Sequence, residues 1–324
     1  MALATIAEAH FLDAKGFVRQ YREHLSDFST WAMRAHAAEW LVFPENVGPH
    51  LSLDEVAISQ GELYTVLTNK ARHGKHGALV AIVKGTKAEI VNKVLHRIPQ
   101  SIRETVQTVT RDLDASMAQI ATTCFSQAQQ IEDRFHVQQL VSEALQEIRV
   151  GLRKEAITEQ NTQGKAARER RGGYQAPRYE NGDTKKSLLA RSRYLLFKAR
   201  SKWTASQQER GTILFREYPV LQKAYTLTMM FRGVYEYCKT QGQAREKLQE
   251  WYNKLETSIE ILPAFETPMQ TVQLHEATIL NYFDGRRTNA AAESFNAKIK
   301  NFRALQRGVR EVPFFLYRLA KIYG

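Results

Sequence analysis

The sequence predicts an α/β fold in which a mixed β-sheet carries helices and is interrupted by a long all-helical segment. Three short β-like runs follow one another between residues 50 and 84, helices and strands then alternate as far as residue 154, and residues 187–283 are helical throughout. Strands in series followed by such alternation are typical of a mixed sheet with helices packed on it. With 324 residues, 43% of them hydrophobic, the chain can bury a large core and is not of the disordered class.

Residues 3–41 are predicted to be helical, because aromatic and leucine side chains recur at helical spacing from Phe11 to Trp31. The β-like runs span 51–59, 61–69 and 77–84. The elements predicted after them are a helix over 86–96 with Thr86 as its N-cap, a strand over 106–113, a helix over 116–125, a strand over 128–132 and a helix over 133–154. An RNase H-like core requires this order, although the pattern is not unique to that fold.

A glycine-rich and charged stretch over residues 155–186 predicts a loop or a partly disordered linker. The helices predicted beyond it span 187–199, 206–218, 219–239, 244–259 and 265–283, and the last helix begins near Asn289. The predicted organisation is therefore a helical N-terminal segment (1–45), the first part of the core (46–155), a basic linker with an all-helical insertion (156–283), and a final helix that completes the core (284–324).

The formal net charge of +12 points to a polyanionic partner, either nucleic acid or an anionic membrane surface. Residues 165–202 hold twelve Lys or Arg against three acids, and residues 286–324 hold nine against two. One such run would indicate a solvated face, but these two together exceed the charge of the whole chain and favour a phosphate-binding surface. The candidate DNA-binding residues are Lys185, Lys186, Arg191, Arg193, Lys198, Arg200, Lys202, Arg286, Arg287, Lys298, Lys300, Arg303, Arg307 and Arg310.

A membrane partner is disfavoured, because the longest clean apolar run, residues 78–83, is far too short to span a bilayer. The N-terminus lacks the pattern of a signal peptide. The only cysteines, Cys124 and Cys238, form neither a disulfide framework nor a zinc knuckle. We therefore expect a cytoplasmic protein that faces nucleic acid.

Acidic residues at three places suggest chemistry. Asp54 interrupts an apolar strand, where a carboxylate is costly unless it is paired or binds a metal. Asp112 and Asp114 lie at the end of the fourth predicted strand. Glu293 lies in the final helix, on a polar face that also contains Asn289, Asn296 and Lys300, while the opposite face presents Ala292, Phe295, Ile299 and Phe302.

Converging carboxylates suit phosphodiester chemistry, because two Mg²⁺ ions about 3.5–4 Å apart need hard oxygen ligands. Other interpretations stay open. Asp54 could hydrogen-bond a neighbouring amide, whichever of Asp112 and Asp114 is not catalytic could cap the following helix, and Glu293 could be a surface glutamate. Asn289 could be an N-cap. Trp203 could stack on an unpaired base, although packing is the more usual role of a tryptophan.

Several motifs together resemble the ISL-three family of bacterial insertion-sequence transposases, in particular its short Bacteroidetes-type branch. They are Leu-Ser-Leu-Asp-Glu at 51–55, Asp114, Asp-Arg-Phe-His-Val at 133–137, Ile-Leu-Asn-Tyr-Phe at 279–283, and Arg-Thr-Asn-Ala-Ala-Ala-Glu-Ser-Phe-Asn-Ala-Lys-Ile-Lys at 287–300. The resemblance covers about residues 40–324. It implies an RNase H-like core with an Asp-Asp-Glu site, interrupted before the final acidic helix by an all-helical insertion.

Carried over by position, the resemblance assigns Asp54, Asp114 and Glu293 as the catalytic and metal-binding acids, and it favours Asp114 over Asp112. Supporting residues around these acids are expected to be Asp112, Asp133, His136, Asn289 and Asn296. The implied cofactor is a pair of Mg²⁺ ions, for which Mn²⁺ is expected to substitute.

The implied activity is cleavage of DNA at transposon ends and transfer of the cut strands into target DNA. The expected partners are double-stranded DNA and a second copy of the chain. The family's cysteine-rich module and helix-turn-helix are missing here, so a separate DNA-binding subunit is expected to recognise the ends. Two alternatives remain: an RNase H-like nuclease or resolvase without strand transfer, and a non-catalytic DNA-binding protein derived from a transposase.

Overall fold

A computed structural model describes residues 3–286, 290–306 and 308–324 of the chain, without the side chains of 290–292. Within these ranges six strands form one sheet: β1 (Trp40–Val42), β2 (His50–Ser59), β3 (Glu62–Asn69), β4 (Leu79–Lys84), β5 (Thr108–Arg111) and β6 (Gln129–Glu132). The strand order is β1-β4-β3-β2-β5-β6. Strands β1 to β4 pair antiparallel, whereas β5 runs parallel to both β2 and β6. The predicted α/β class with a mixed sheet is therefore confirmed, and the strand order is consistent with an RNase H-like core.

The described helices are named in chain order. They are α1 (Leu3–Ala9), α2 (Ala14–Gln20), α3 (Ala88–Leu95), α4 (Gln100–Arg103), α5 (Ala115–Cys124), α6 (Arg134–Glu169), α7 (Lys185–Arg191), α8 (Arg193–Leu196), α9 (Ala205–Glu217), α10 (Pro219–Tyr237), α11 (Gln241–Glu256), α12 (Glu266–Leu274), α13 (Glu276–Leu280), α14 (Ala290–Leu305) and α15 (Val312–Tyr323). None of the described helices is both long and apolar enough to cross a bilayer.

The chain divides into two compact units. The first comprises the residues up to Asp133 together with those from Gly285 onward, and the second is Arg134–Asp284. The sequence had instead placed the start of the helical insertion at residue 156. The boundary lies earlier because α6 begins directly after β6 and belongs as a whole to the second unit.

The sheet of the first unit has an apolar core on each face, because side chains alternate along a strand. On one face, Leu51, Leu53 and Val109 are buried together with residues of α3 and α5. On the other, Val56 and Ile58 pack with residues of α14 and α15. This second face is the one that brings the final helix onto β2.

The N-terminal segment differs from the continuous helical stretch that its aromatic spacing predicted. It consists of α1, α2, several single turns and β1, with Phe11 in a left-handed backbone conformation between the two helices. Its aromatic side chains pack against α15 instead: the rings of Phe28 and Phe314 are 5.2 Å apart, as are those of Trp31 and Tyr317. The aromatic residues recur at helical spacing because several short elements each contribute rings to the contact with α15, not because one helix contains them all.

The long helix α6 continues fifteen residues beyond the predicted end at residue 154. Helix-forming residues fill most of the extension, and they continue the helix through the single Gly164. The rest of the predicted linker is held by Asp183. Its carboxylate is buried and pairs with Arg191 at 2.9 Å and Arg210 at 2.8 Å.

The elements of the second unit are all helices or helical turns, as predicted for residues 187–283. The predicted helix 187–199 is divided into α7 and α8, and 265–283 into α12, α13 and a final turn. Trp203 is buried, and its indole Nε1 donates to the carbonyl oxygen of Leu195 at 2.8 Å. Trp203 is therefore a packing residue, and its burial excludes the stacking on DNA that the sequence had left open.

Thr86 does not cap α3, contrary to the prediction. The residue at the N-cap position is Lys87. The backbone carbonyl of Thr86 instead accepts a hydrogen bond from Ser116 Oγ at 2.7 Å, and this bond joins the start of α3 to α5.

Candidate active site

Asp54 lies at the centre of the candidate site, half-buried on β2. Its Oδ1 accepts a hydrogen bond from the backbone amide of Glu55 at 2.7 Å, which is the local contact the sequence had left open. Its Oδ2 accepts a second bond, also 2.7 Å long, from Asn296 Nδ2 on α14. Since 242 positions separate these two residues, this contact is evidence that the fold brings α14 to Asp54.

Two more carboxylates follow β5 and β6 in register with Asp54. In the register of the sheet, Arg111 of β5 lies opposite Leu53 of β2 on one side and opposite Glu132 of β6 on the other. The residue that follows each of these three is an aspartate: Asp54, Asp112 and Asp133. Carboxylate oxygens of Asp112 and Asp133 lie within 4.8 Å of each other. We call Asp54, Asp112 and Asp133 the acidic row.

The electrostatics of the acidic row are unfavourable for a set of ionised carboxylates. Burial raises the pKa of Asp112 to about 8, with further contributions from the negative charges of Asp54, Asp133, Glu55 and Asp114. Crowded carboxylates resist deprotonation in this way until a cation offsets their charge. The donor set, made of hard oxygens, fits a divalent cation such as Mg²⁺.

Asp114, which the sequence favoured as the second acid, caps a helix. It is exposed, and its Oδ1 accepts hydrogen bonds from the backbone amides of Ser116 at 2.8 Å and Met117 at 3.1 Å. The capping role left open for either aspartate therefore belongs to Asp114. The sequence placed Asp112 among the supporting residues, but in the structure it is Asp112, not Asp114, that lies in the acidic row beside Asp54 and Asp133.

Helix α14 presents Glu293 one turn before Asn296. Phe295 and Ile299 are buried against the sheet, as the helical pattern predicted, while Glu293 and Lys300 are exposed. Asn296 is only 6% exposed because it bridges Asp54 Oδ2 and, at 3.1 Å, the carbonyl oxygen of Glu55. Of the remaining predicted residues of this region, Asn289, Arg287 and Arg307 lie outside the described residues.

Two of the cations predicted to bind DNA on α14 donate to the protein's own backbone. Lys298 Nζ donates to the carbonyl oxygen of Gly74 at 2.7 Å, and Arg303 Nη1 to that of Ala57 at 3.1 Å. Both bonds attach α14 to other parts of the first unit, one to the loop before β4 and one to β2. Sequence spacing carried no signal for these acceptors, which lie more than 220 positions away. Lys300, Arg286 and Arg310 are exposed.

The candidate cations of the second unit also fall into two groups. Lys185 pairs with Glu159 at 3.0 Å and Arg191 with Asp183 at 2.9 Å. The other five are exposed: Lys186, Arg193, Lys198, Arg200 and Lys202. His136 is half-buried in the first turn of α6 and also belongs to this unit.

A buried ion pair beneath the acidic row was missed by the sequence analysis. The guanidinium of Arg111 pairs with Glu132 through Nη2 at 2.8 Å and Nη1 at 3.1 Å, and both side chains are at most 3% exposed. Arg111 Nη1 also donates to the carbonyl oxygen of Asp112 at 3.1 Å. The pair links the ends of β5 and β6 on the opposite face, directly before Asp112 and Asp133.

Comparison with known proteins agrees with this architecture. A family model described as a transposase matches residues 51–319, which includes the whole acidic row and α14. The chain therefore belongs to the ISL-three family of insertion-sequence transposases, as its motifs predicted. A search of curated proteins gave no match.

Proposed function

We propose that the chain is the catalytic subunit of a DNA transposase, which cuts DNA at the ends of a mobile element and joins the freed 3′-hydroxyls to target DNA. The acidic row is the observation that carries the proposal. It places three carboxylates at matching register positions of neighbouring strands, Asp54 within β2 and Asp112 and Asp133 directly after β5 and β6, with α14 attached to the first of them. Within a transposase family, this is a suitable place for phosphodiester chemistry.

The assignment of acids follows the geometry. Asp54 and Asp112 would hold the metal, Asp133 would complete the row, and Glu293 would contribute from α14. Asp114 would remain a helix cap. Two Mg²⁺ ions, or Mn²⁺ in their place, would supply activation of the attacking oxygen and stabilisation of the leaving oxygen.

The protein's own residues prepare this site. Asn296 orients Asp54, because its amide donates to Oδ2 while the Glu55 amide holds Oδ1. The Arg111–Glu132 pair fixes the strand ends from which Asp112 and Asp133 project. Exposed cations, among them Lys300 and Arg310, would contact phosphates without reading sequence.

The wider setting is part of the same proposal. We infer a bacterial cytoplasmic protein, associated with the nucleoid when active, that works on double-stranded DNA as a homodimer. A separate DNA-binding subunit would supply recognition of the element's ends.

The proposal is tested by incubating the purified chain with Mg²⁺ and DNA that carries the repeats flanking its gene. With a helix-turn-helix partner added, we expect cleaved ends and joined products from the wild type, and neither from Asp54→Asn or Asp112→Asn. Cleavage without joined products would support the nuclease alternative. No metal-dependent cleavage, either alone or with a helix-turn-helix partner added, would support a non-catalytic DNA-binding protein.

A further inference from the structure

The segment from α7 to the start of α9 is unusual in both charge and surface. Between residues 184 and 208 there are seven Lys or Arg and no acid. Two large rings also face solvent there: Tyr194 is 67% exposed and Phe197 38% exposed. We call residues 193–202 the basic aromatic segment.

The backbone of the basic aromatic segment is held firmly from beneath. Leu195 and Leu196 are fully buried. Three side chains of the second unit donate to backbone carbonyl oxygens of this segment: Tyr225 Oη to that of Lys198 at 2.9 Å, Trp203 Nε1 to that of Leu195 at 2.8 Å, and the partly exposed Arg232 Nη1 to that of Phe197 at 3.0 Å. The exposed rings therefore stand on a preorganised support, which lowers the entropy cost of binding.

The charges around these rings are suited to phosphate. Arg193, Lys198, Arg200 and Lys202 are exposed, and the Arg193 guanidinium lies 5.6 Å from the centre of the Tyr194 ring. Proteins that bind single strands combine such cations with aromatic rings on which bases stack. In a duplex the base faces are already stacked on each other, so exposed rings would gain little from it.

We propose that the basic aromatic segment binds an unpaired DNA strand, with bases stacked on Tyr194 and Phe197 and phosphates on the neighbouring cations. The inference deepens the proposed function and rests on it, since a staggered cut at a DNA end leaves unpaired nucleotides. The four exposed cations, in a stretch with no Asp or Glu between residues 184 and 208, favour a polyanion over an apolar protein partner.

The test measures fluorescence anisotropy of labelled oligothymidylate, about 16 nucleotides long, and of a duplex of equal length. For the double variant Tyr194→Leu/Phe197→Leu we expect affinity for the single strand to fall at least about 30-fold, and affinity for the duplex to stay unchanged. The thermal midpoint should fall only slightly, because Tyr194 is 67% exposed and leucine keeps apolar contact at Phe197, which is 38% exposed. The matched control is Tyr237→Leu, a ring 79% exposed on the same unit, which should alter neither affinity.

Salt dependence separates stacking from charge. The double ring variant should keep the slope of log affinity against log salt, because it removes no phosphate contact, whereas Lys198→Ala should reduce the single-strand slope by about 0.7. Unchanged single-strand affinity in the ring variant would overturn the inference and point to a protein partner. Equal losses on single strand and duplex would also overturn it. A chain that cleaves no DNA but shows ring-dependent single-strand binding would contradict only the proposed function.

Discussion

Asp112 differs from Asp114 by what surrounds its carboxylate, and this difference can be measured. The pKa of Asp112 is raised to about 8 by burial and by neighbouring acids, so the folded chain holds a proton that the unfolded chain releases near pH 4. Stability due to this group is therefore full below about pH 4 and decreases as the pH rises toward 8.

The first prediction concerns Asp112→Asn, which removes this repulsion. We expect the metal-free variant to unfold several degrees above the wild type at pH 8, by calorimetry, and to lose the stabilisation that Mg²⁺ gives the wild type. The control Asp114→Ala should be less stable than the wild type by about 1 kcal/mol, through loss of the helix cap, and should keep its response to Mg²⁺. A variant Asp114→Ala that lost its response to Mg²⁺, beside an Asp112→Asn variant that kept it, would identify Asp114 as the second acid.

At the scale of elements, the cations of α14 should act differently from one another. The sequence treated Lys298, Lys300 and Arg303 alike, but two of them bind backbone carbonyls and only Lys300 is exposed. For Lys300→Ala we expect the salt slope of duplex binding to fall by about 0.9 with no change in thermal midpoint. Lys298→Ala and Arg303→Ala should each lower the midpoint. Three equal effects on DNA, with unchanged stability, would show that α14 is not anchored in this way.

The connection after α6 gives a third prediction, on pH. Burial raises the pKa of Asp183. The hydrogen bond and charge of Arg210, the charge of Arg191 and a hydrogen bond from Ser187 together lower the pKa by more than burial raises it, so the pKa lies below its ordinary value. A depressed pKa stabilises the fold above the unfolded value of about 3.9, and this stability is lost as the pH falls through the folded value.

We therefore expect Asp183→Asn to cost about 3 kcal/mol at pH 7 in urea unfolding, and less below pH 4. The two partners of Asp183 give a matched comparison, because the Arg210 side chain is 14% exposed and that of Arg191 64%. Arg191→Gln should cost under about 1 kcal/mol, and Arg210→Gln considerably more. Equal costs at both pH values for Asp183→Asn would contradict the account.

Local patterns were sufficient to predict β2 to β6 and most of the helices, because alternation and helical spacing are properties of neighbouring residues. The choice between Asp112 and Asp114 was not available locally. It depends on where β5 ends and which strands flank it, and both aspartates have the same parity along the chain. The backbone acceptors of Lys298 and Arg303, and the Arg111–Glu132 pair, arise only when distant segments meet.

At the scale of the whole molecule, the exposed cations suit backbone contact more than sequence reading. The N-terminal segment is nearly neutral, and Phe28 and Trp31 pack against α15 instead of facing a groove. We therefore expect the purified chain to protect its element's ends in a footprint no better than random duplex, and to gain preference when a helix-turn-helix partner is added. Strong end-specific protection by the chain alone would contradict this.

The central claim is that the acidic row binds the catalytic metal. Anomalous diffraction from crystals soaked in Mn²⁺ tests it most directly, because the peak locates the ion relative to each carboxylate. We expect a peak in contact with Asp54 and Asp112, and none in Asp112→Asn crystals. A peak coordinated by Asp114 instead of Asp112, or an ion bound equally well in the variant, would contradict it.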